Sequence, residues 1–260
     1  MKSVPDVLRS PLERAYTWRL RRTIQRRSGL PHHLGLIMDG NRRWARRKGL
    51  VNAGIGHQYG AEHLQDLLGW CEKLEIDHVT VFVCSTENIL RRATSEVDFL
   101  MDVIESMARS LLRQRARSWR VRIAGNLDVL PDRTARALKN LVDETADDRS
   151  GRQLVLAIGY GGRQEIFDAF TDYLHEQQAA GSTLSELARR FDLSDIDRHL
   201  YVDPMPSPDL IIRTSGEQRS SNFLLWQGIR ANYYFCDVYW PAFREFDFLR
   251  AVRSFSAAPR

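Results

Sequence analysis

Met38-Asp39-Gly40-Asn41-Arg42-Arg43-Trp44 sets an acid, a glycine and two arginines directly after a short apolar run. A strand that ends in an acid, turns on a glycine and opens a helix with arginines is electrostatically odd. The positive end of a helix dipole favours acids, not bases. A bound anion removes the conflict: a diphosphate there would accept from the free helix N–H groups and from the guanidiniums. Asp39 beside such an anion would be repelled unless it shared a Mg²⁺ with the phosphate oxygens. The competing reading is that Asp39 only caps the helix.

Three more groupings follow apolar runs in the same way. Ser85-Thr86-Glu87-Asn88, with Arg91-Arg92, comes after a run ending at Val83, and Gly159-Tyr160-Gly161-Gly162-Arg163 after one ending at Ile158. Glycine turns after strands are common, so each points only weakly to phosphate. The last grouping is denser, reading DLIIRTSGEQRSSNFLLWQ from Asp209 to Gln227. Arg213, Arg219 and Ser221 lie around a Ser215-Gly216 turn and could converge on one phosphate group.

Other chemistries lack their residues. There is no GxxxxGK[ST] phosphate loop, no GxSxG elbow and no HExxH. Asp147-Asp148 has no third acid to make a DDxxD motif. Cys71, Cys84 and Cys236 are far apart and show no CxxC spacing, and the seven histidines form no ligand pattern. Zinc and a disulfide framework are therefore not expected, and a reducing cytoplasm fits the thiols.

The elements that must position these residues alternate. Short apolar runs at Leu34–Met38, Val79–Val83, Val121–Ala124, Leu154–Ile158, Leu210–Ile212 and Tyr233–Phe235 read as buried strands. Between them, His57 to Leu74 carries a stripe of Leu64, Leu67, Leu68 and Cys71, and Ser95 to Arg115 one of Val97, Leu100, Met101, Ile104, Met107 and Leu111. Further helices are expected after Pro131 and from Arg163. This α/β alternation predicts a central, mostly parallel six-stranded sheet flanked by helices on both faces. Ligands in such sheets bind at the carboxyl ends of the strands, where the groupings above fall.

At 260 residues and 43% hydrophobic, the chain can bury one large core. No apolar run approaches the roughly 18 residues of a membrane span, and no signal-like apolar segment stands near Met1. The net charge of +5 favours an anionic partner without choosing among nucleic acid, phosphorylated metabolite and acidic lipid. Aromatics fall mostly within apolar runs rather than among the basic residues, which argues against nucleic acid. Between Lys2 and Arg27 there are eight Lys/Arg against two acids, on a helical pattern with Leu8, Leu12, Trp18, Leu20 and Ile24. Residues 1–28 thus read as a basic helical extension and 29–260 as a single catalytic domain. The extension is either a surface helix packed on the body or an amphipathic segment resting on an anionic membrane.

Taken in order, DGNRRWA, GHQYG (Gly56 to Gly60), STEN, GYGGR, DLIIRTSGEQRSSNFLLWQ and WPAF resemble the cis-prenyltransferase (undecaprenyl diphosphate synthase) family from about residue 31 to 250. The short-chain Z-farnesyl diphosphate synthase-like members look most similar. The resemblance implies coupling of an allylic diphosphate (dimethylallyl or geranyl) to homoallylic isopentenyl diphosphate, with loss of pyrophosphate. It implies Asp39 as the Mg²⁺-linked acid; Gly40, Asn41, Arg42 and Arg43 around the allylic diphosphate, with His57 and Arg91 nearby; and Trp44 and Ser85 in the pocket. It further implies Asn88 near the reacting carbons, Arg213, Arg219 and Ser221 on the second diphosphate, and a cytoplasmic homodimer formed through the stretch from Phe223 to Phe235. A tunnel for the growing chain is expected to begin at Val83, with Leu100 and Ile104 in its floor, giving a product of about ten to fifteen carbons.

The chain departs from the family at Asn232, where a glutamate usually completes the metal site, so that Mg²⁺ is expected on Asp39 and Asn232 with weakened binding. Asn52 or Ala53 stands where many members have arginine, and Ile89 where long-chain members have Trp. An altered second site leaves open a head-to-middle coupling of two allylic units to a lavandulyl-type product. A non-catalytic partner subunit is the alternative of another class, opposed by retention of Asp39, Asn41, Arg43 and both later arginines.

Overall fold

Each apolar run read as a strand is a strand in the computed structural model, which describes residues 11–25, 29–52, 54–91, 94–114 and 119–257. The strands are β1 (His33–Ile37), β2 (His78–Ser85), β3 (Arg120–Ala124), β4 (Gln153–Tyr160), β5 (Leu210–Arg213) and β6 (Asn232–Phe235). They form one sheet in the order β3-β4-β2-β1-β5-β6, and every pairing is parallel. Residues of β1 are buried on both faces, which is why the run is continuously apolar rather than alternating.

The helices are α1 (Pro11–Gln25), α2 (Asn41–Arg47), α3 (Ile55–Lys73), α4 (Thr86–Arg91), α5 (Thr94–Gln114), α6 (Asp132–Thr145), α7 (Gly162–Ala179), α8 (Leu184–Arg190), α9 (Leu193–His199) and α10 (Glu245–Ala257). The predicted stripes face inward: Leu64, Leu67, Leu68 and Cys71 of α3, and Leu100, Met101, Ile104, Met107 and Leu111 of α5, are buried against one face of the sheet. The other face carries a smaller cluster in which Phe82 stacks on Phe223 with ring centroids 5.1 Å apart.

Within the described part of the N-terminal extension, α1 packs on α10. Leu20 and Ile24 enter the main core, Arg244 pairs with Glu13 at 3.1 Å, and Arg21 pairs with Glu245. The surface-helix reading therefore describes this segment, while Leu12 and Trp18 remain exposed on its outer side. Leu8 and Ala53 lie outside the described residues. Helices α8 and α9 went unread in the sequence because they are short and polar; each begins with a capping box, Thr183 with Glu186 and Asp192 with Asp195. Among the described residues no helix is long and apolar enough to cross a membrane.

His33 of β1 ties β2 and the loop before β5 together at the amino end of the sheet. Its Nδ1 donates to Pro206 O at 2.6 Å, and its Nε2 accepts from Thr80 Oγ1 at 2.8 Å. Burial disfavours the imidazolium and lowers the pKa to about 4. The unfolded chain therefore takes up this proton first, and stability falls as pH drops from about 6.5 towards 4. The span corresponds to about 3 kcal/mol. Denaturant titrations of wild type and His33→Gln at both pH values should differ in slope by one proton; parallel pH profiles would show that His33 does not titrate this way.

Candidate active site

At the carboxyl ends of β1, β2 and β5 a cleft of about 820 Å³ opens, lined at one end by charged groups and at the other by apolar side chains. The charged end is built on Asp39. Its Oδ2 accepts from Arg213 Nη2 at 2.8 Å, and its Oδ1 accepts from the Gly40 N–H at 2.6 Å and from Arg43 Nη2 at 3.4 Å. Burial pushes the carboxyl up, but the hydrogen bond and charge of Arg213, then Gly40 and Ser215, outweigh it and hold the acid below its ordinary range. Asp39 is thus an anion at neutral pH.

Gly40 has φ of 96°, and a Cβ there would meet the Tyr239 ring at 2.6 Å and Ser215 at 2.9 Å, so only glycine fits this turn. Asn41 then donates from Nδ2 to Met38 O at 2.8 Å, locking the turn to the strand end. Arg43 reaches across to Ser215 Oγ at 2.8 Å, whereas Arg42 pairs outward with Glu96 at 3.0 Å. Both arginines, together with His57, Ser85 and Asn88, line the cleft. Ser85 Oγ accepts from the Asn88 N–H at 3.1 Å and so caps α4.

Arg213 is the most enclosed cation of the site, its side chain only 4% exposed. It donates to Asp39, and its Nη1 donates to Arg219 O and Ser221 Oγ, both at 2.6 Å. The loop it grips is conformationally demanding: Ser215, Ser221, Asn222 and Leu224 all have positive φ. Arg213 therefore organises Asp39 and Ser221 in this state, while Arg219, 64% exposed, is the more available donor of the pair.

The apolar end is closed by β2 and α5. The pairing of β2 with β4 shifts register at Val83, which has no partner while Phe82 and Cys84 face Ala157 and Ile158. A bulge of this kind re-aims a side chain. Val83 lines the cleft with Leu100, Ile104 and Met107 of α5, as expected for the start and floor of a tunnel.

Four expectations are corrected. Trp44 does not line this cleft; it lies against Tyr59, ring centroids 5.1 Å apart, because its position on α2 turns it away from Asp39. Asn232 pairs with Leu210 at the amino end of the sheet, whereas Ile37, Arg213 and Phe235 are level with one another near the carboxyl end. Three strand residues span about 10 Å, so Asn232 and Asp39 cannot share an ion within one chain. GYGGR is not a phosphate turn but a socket: Gly162 N–H donates to Asn222 O at 2.8 Å and Arg163 N–H to Asn222 Oδ1 at 2.9 Å. A Cβ on Gly161 would meet Asn222 Nδ2 at 2.8 Å. Finally, Phe223 and Leu224 are buried in the smaller core and are not available to a partner; Leu225, Ile229 and Tyr233 are the exposed apolar residues of that stretch. The side chain of Arg91 lies outside the described residues.

The sequence reading missed Thr214 and Glu217 as functional positions. Thr214 Oγ1 accepts from the Asp39 N–H at 3.0 Å and donates to Asp39 O at 2.7 Å. Glu217 bridges Arg43 and Arg219; an acid between two site arginines in sequence was the available signal.

Comparisons with known proteins agree on the family. A family model described as undecaprenyl diphosphate synthase, a prenyltransferase family, matches residues 37–260. An isoprenyl transferase of Streptomyces fradiae is 58% identical over 94% of this chain and 95% of its own length. A (2Z,6E)-farnesyl diphosphate synthase of Thermobifida fusca is 47% identical over 98% of each. Among solved structures, lavandulyl diphosphate synthase from Lavandula x intermedia, in complex with dimethylallyl diphosphate, superposes with a TM-score of 0.81 at 30% identity, covering 89% of this chain and 97% of that one.

Proposed function

The chain belongs to the undecaprenyl diphosphate synthase family of cis-prenyltransferases, and on that premise we propose that it condenses dimethylallyl or geranyl diphosphate with isopentenyl diphosphate. The product is a short-chain prenyl diphosphate of about ten to fifteen carbons, and pyrophosphate is released. The observation that carries this reading is one cleft with an Asp–Arg polar end and an apolar end set by Val83, Leu100 and Ile104. A ligand with an anionic head and a hydrocarbon tail matches both.

The allylic diphosphate is assigned to the turn from Gly40 to Arg43, and the second diphosphate to Arg219, Ser221 and Arg213. These groups hold both heads in register so that the allylic carbon faces the second double bond, beside Asn88. Guanidiniums fixed around the departing diphosphate stabilise the charge that develops as the C–O bond breaks. Asp39 suits magnesium of the kind held by one carboxylate plus substrate phosphates; no cluster of three or more acidic, His or Cys ligands exists among the described residues. When bound, magnesium would neutralise phosphate charge and polarise the leaving oxygen. Homodimerisation is assigned to the exposed edge at β6, with Leu225, Ile229 and Tyr233, and membrane contact to Trp18 and Leu12 with the arginines of α1.

A second reading, branched head-to-middle coupling, draws its support from the similarity to lavandulyl diphosphate synthase. It draws none from Asn232, which lies away from the cleft.

The length claim is tested at Val83. Val83→Ala removes two methyl groups from the cleft wall, and the packed surroundings do not yield to refill the space. The variant should shift products towards the next longer homologues by one or two five-carbon units, read by mass spectrometry of dephosphorylated prenols. An unchanged distribution would place the length limit elsewhere.

A further inference from the structure

Glu217 holds an arginine from each half of the polar cleft. Its Oε1 accepts from Arg43 Nη1 at 3.3 Å and its Oε2 from Arg219 Nη1 at 2.5 Å. Arg43 comes from α2 on the Asp39 side, whereas Arg219 comes from the loop after β5. The backbone that aims Glu217 is pinned: the Ser215 N–H donates to Val238 O and the Gly216 N–H to Cys236 O, both at 2.8 Å. Ser215 and Gly216 have φ of 84° and 79°, a turn with little freedom.

The two ion pairs are of a replaceable kind. Glu217 is 29% exposed, and Arg43 and Arg219 are 41% and 64% exposed; such pairs contribute little and yield to a stronger competitor. A diphosphate brings more charge and more acceptor oxygens than one carboxylate. Asp39 is exposed to a similar degree, but it is held by the enclosed Arg213 at 2.8 Å and by the Gly40 N–H at 2.6 Å, so it is less readily displaced.

We propose that Glu217 is a displaceable counter-anion: it stands in for a diphosphate between Arg43 and Arg219, and an arriving diphosphate drives it off both. It is thus a positioning residue, an inference that rests on the prenyl-transfer reading above. Because one carboxylate serves both arginines, losing its hold on one loosens its hold on the other. Occupation of either diphosphate site frees the arginine of its neighbour, and this coupling is reciprocal. After reaction, the return of Glu217 competes with pyrophosphate and speeds its departure.

The experiment uses inorganic pyrophosphate, titrated calorimetrically in EDTA into wild type, Glu217→Gln and Glu217→Ser. Both variants should bind pyrophosphate about tenfold tighter, about 1.4 kcal/mol, with the difference shrinking at high salt. If Glu217 merely supports the loop, both variants will bind equally or more weakly and melt earlier; that outcome overturns the proposal. Wild-type turnover of allylic substrates with no tightening in the variants sinks the counter-anion role alone. Absence of turnover with every allylic substrate sinks the reading beneath it.

Discussion

Asp39→Asn should lower turnover about a thousandfold, equivalent to about 4 kcal/mol of transition-state stabilisation. The carboxylate is the acid at the polar end of the cleft held ionised by a buried guanidinium, a backbone N–H and a hydroxyl together. The amide keeps the size and one acceptor oxygen but loses the charge that a phosphate-bound metal needs. Asn is a cleaner replacement than Ala, because the Arg213 side chain is only 4% exposed. Asn loses the charge but keeps an acceptor oxygen for this guanidinium, whereas Ala leaves the buried group with neither charge nor acceptor there and costs more stability by itself. Asp39→Ala should therefore melt earlier than Asp39→Asn. The measurement is kcat together with the melting temperature for both variants. Turnover of Asp39→Asn within tenfold of wild type would remove Asp39 from the chemistry.

The second large effect separates two arginines that sequence alone treats as equivalent. Arg219→Ala should raise the Michaelis constant of the second substrate by about ten- to a hundredfold, the worth of one charge-assisted hydrogen bond, while leaving the fold intact. Arg213→Ala should do more. It releases Asp39, the Ser221 hydroxyl and the Arg219 carbonyl at once, in a loop whose left-handed residues depend on being held. Turnover, both Michaelis constants and stability should all suffer. Steady-state kinetics with each substrate varied in turn, paired with denaturation, distinguishes these patterns. Equal effects of the two substitutions on the second substrate alone would return Arg213 to a simple phosphate ligand.

The strands were legible because buried parallel strands are continuously apolar, and the α3 and α5 stripes because their spacing is helical. Asp39 and Arg43 stood out because arginines open a helix directly after an acid, Arg213 because it clusters with Arg219 and Ser221 around a turn, and Asn41 only through the family resemblance. What local sequence could not supply was register. Asn232 stands just before the run Tyr233–Phe235, so its strand visibly opens there, but only the pairing with Leu210 fixes how far below Asp39 it lies. Trp44 failed for a related reason: position on a short helix sets direction, and the facing partner, Tyr59, is fifteen residues away in α3. The GYGGR socket for Asn222 joins segments about sixty residues apart, so nothing near the glycines announces it. Glu217 was read past because an acid among arginines is also an ordinary surface pattern.

The central claim is that this cleft joins an allylic diphosphate to isopentenyl diphosphate head to tail. It is tested most directly by incubating the purified enzyme with dimethylallyl diphosphate, geranyl diphosphate and labelled isopentenyl diphosphate. The dephosphorylated products are then identified by mass spectrometry and NMR. The account predicts label in a linear, short-chain prenol with a new Z double bond, formed with magnesium and lost with EDTA. A branched product made from dimethylallyl diphosphate alone, with no label incorporated, would contradict it.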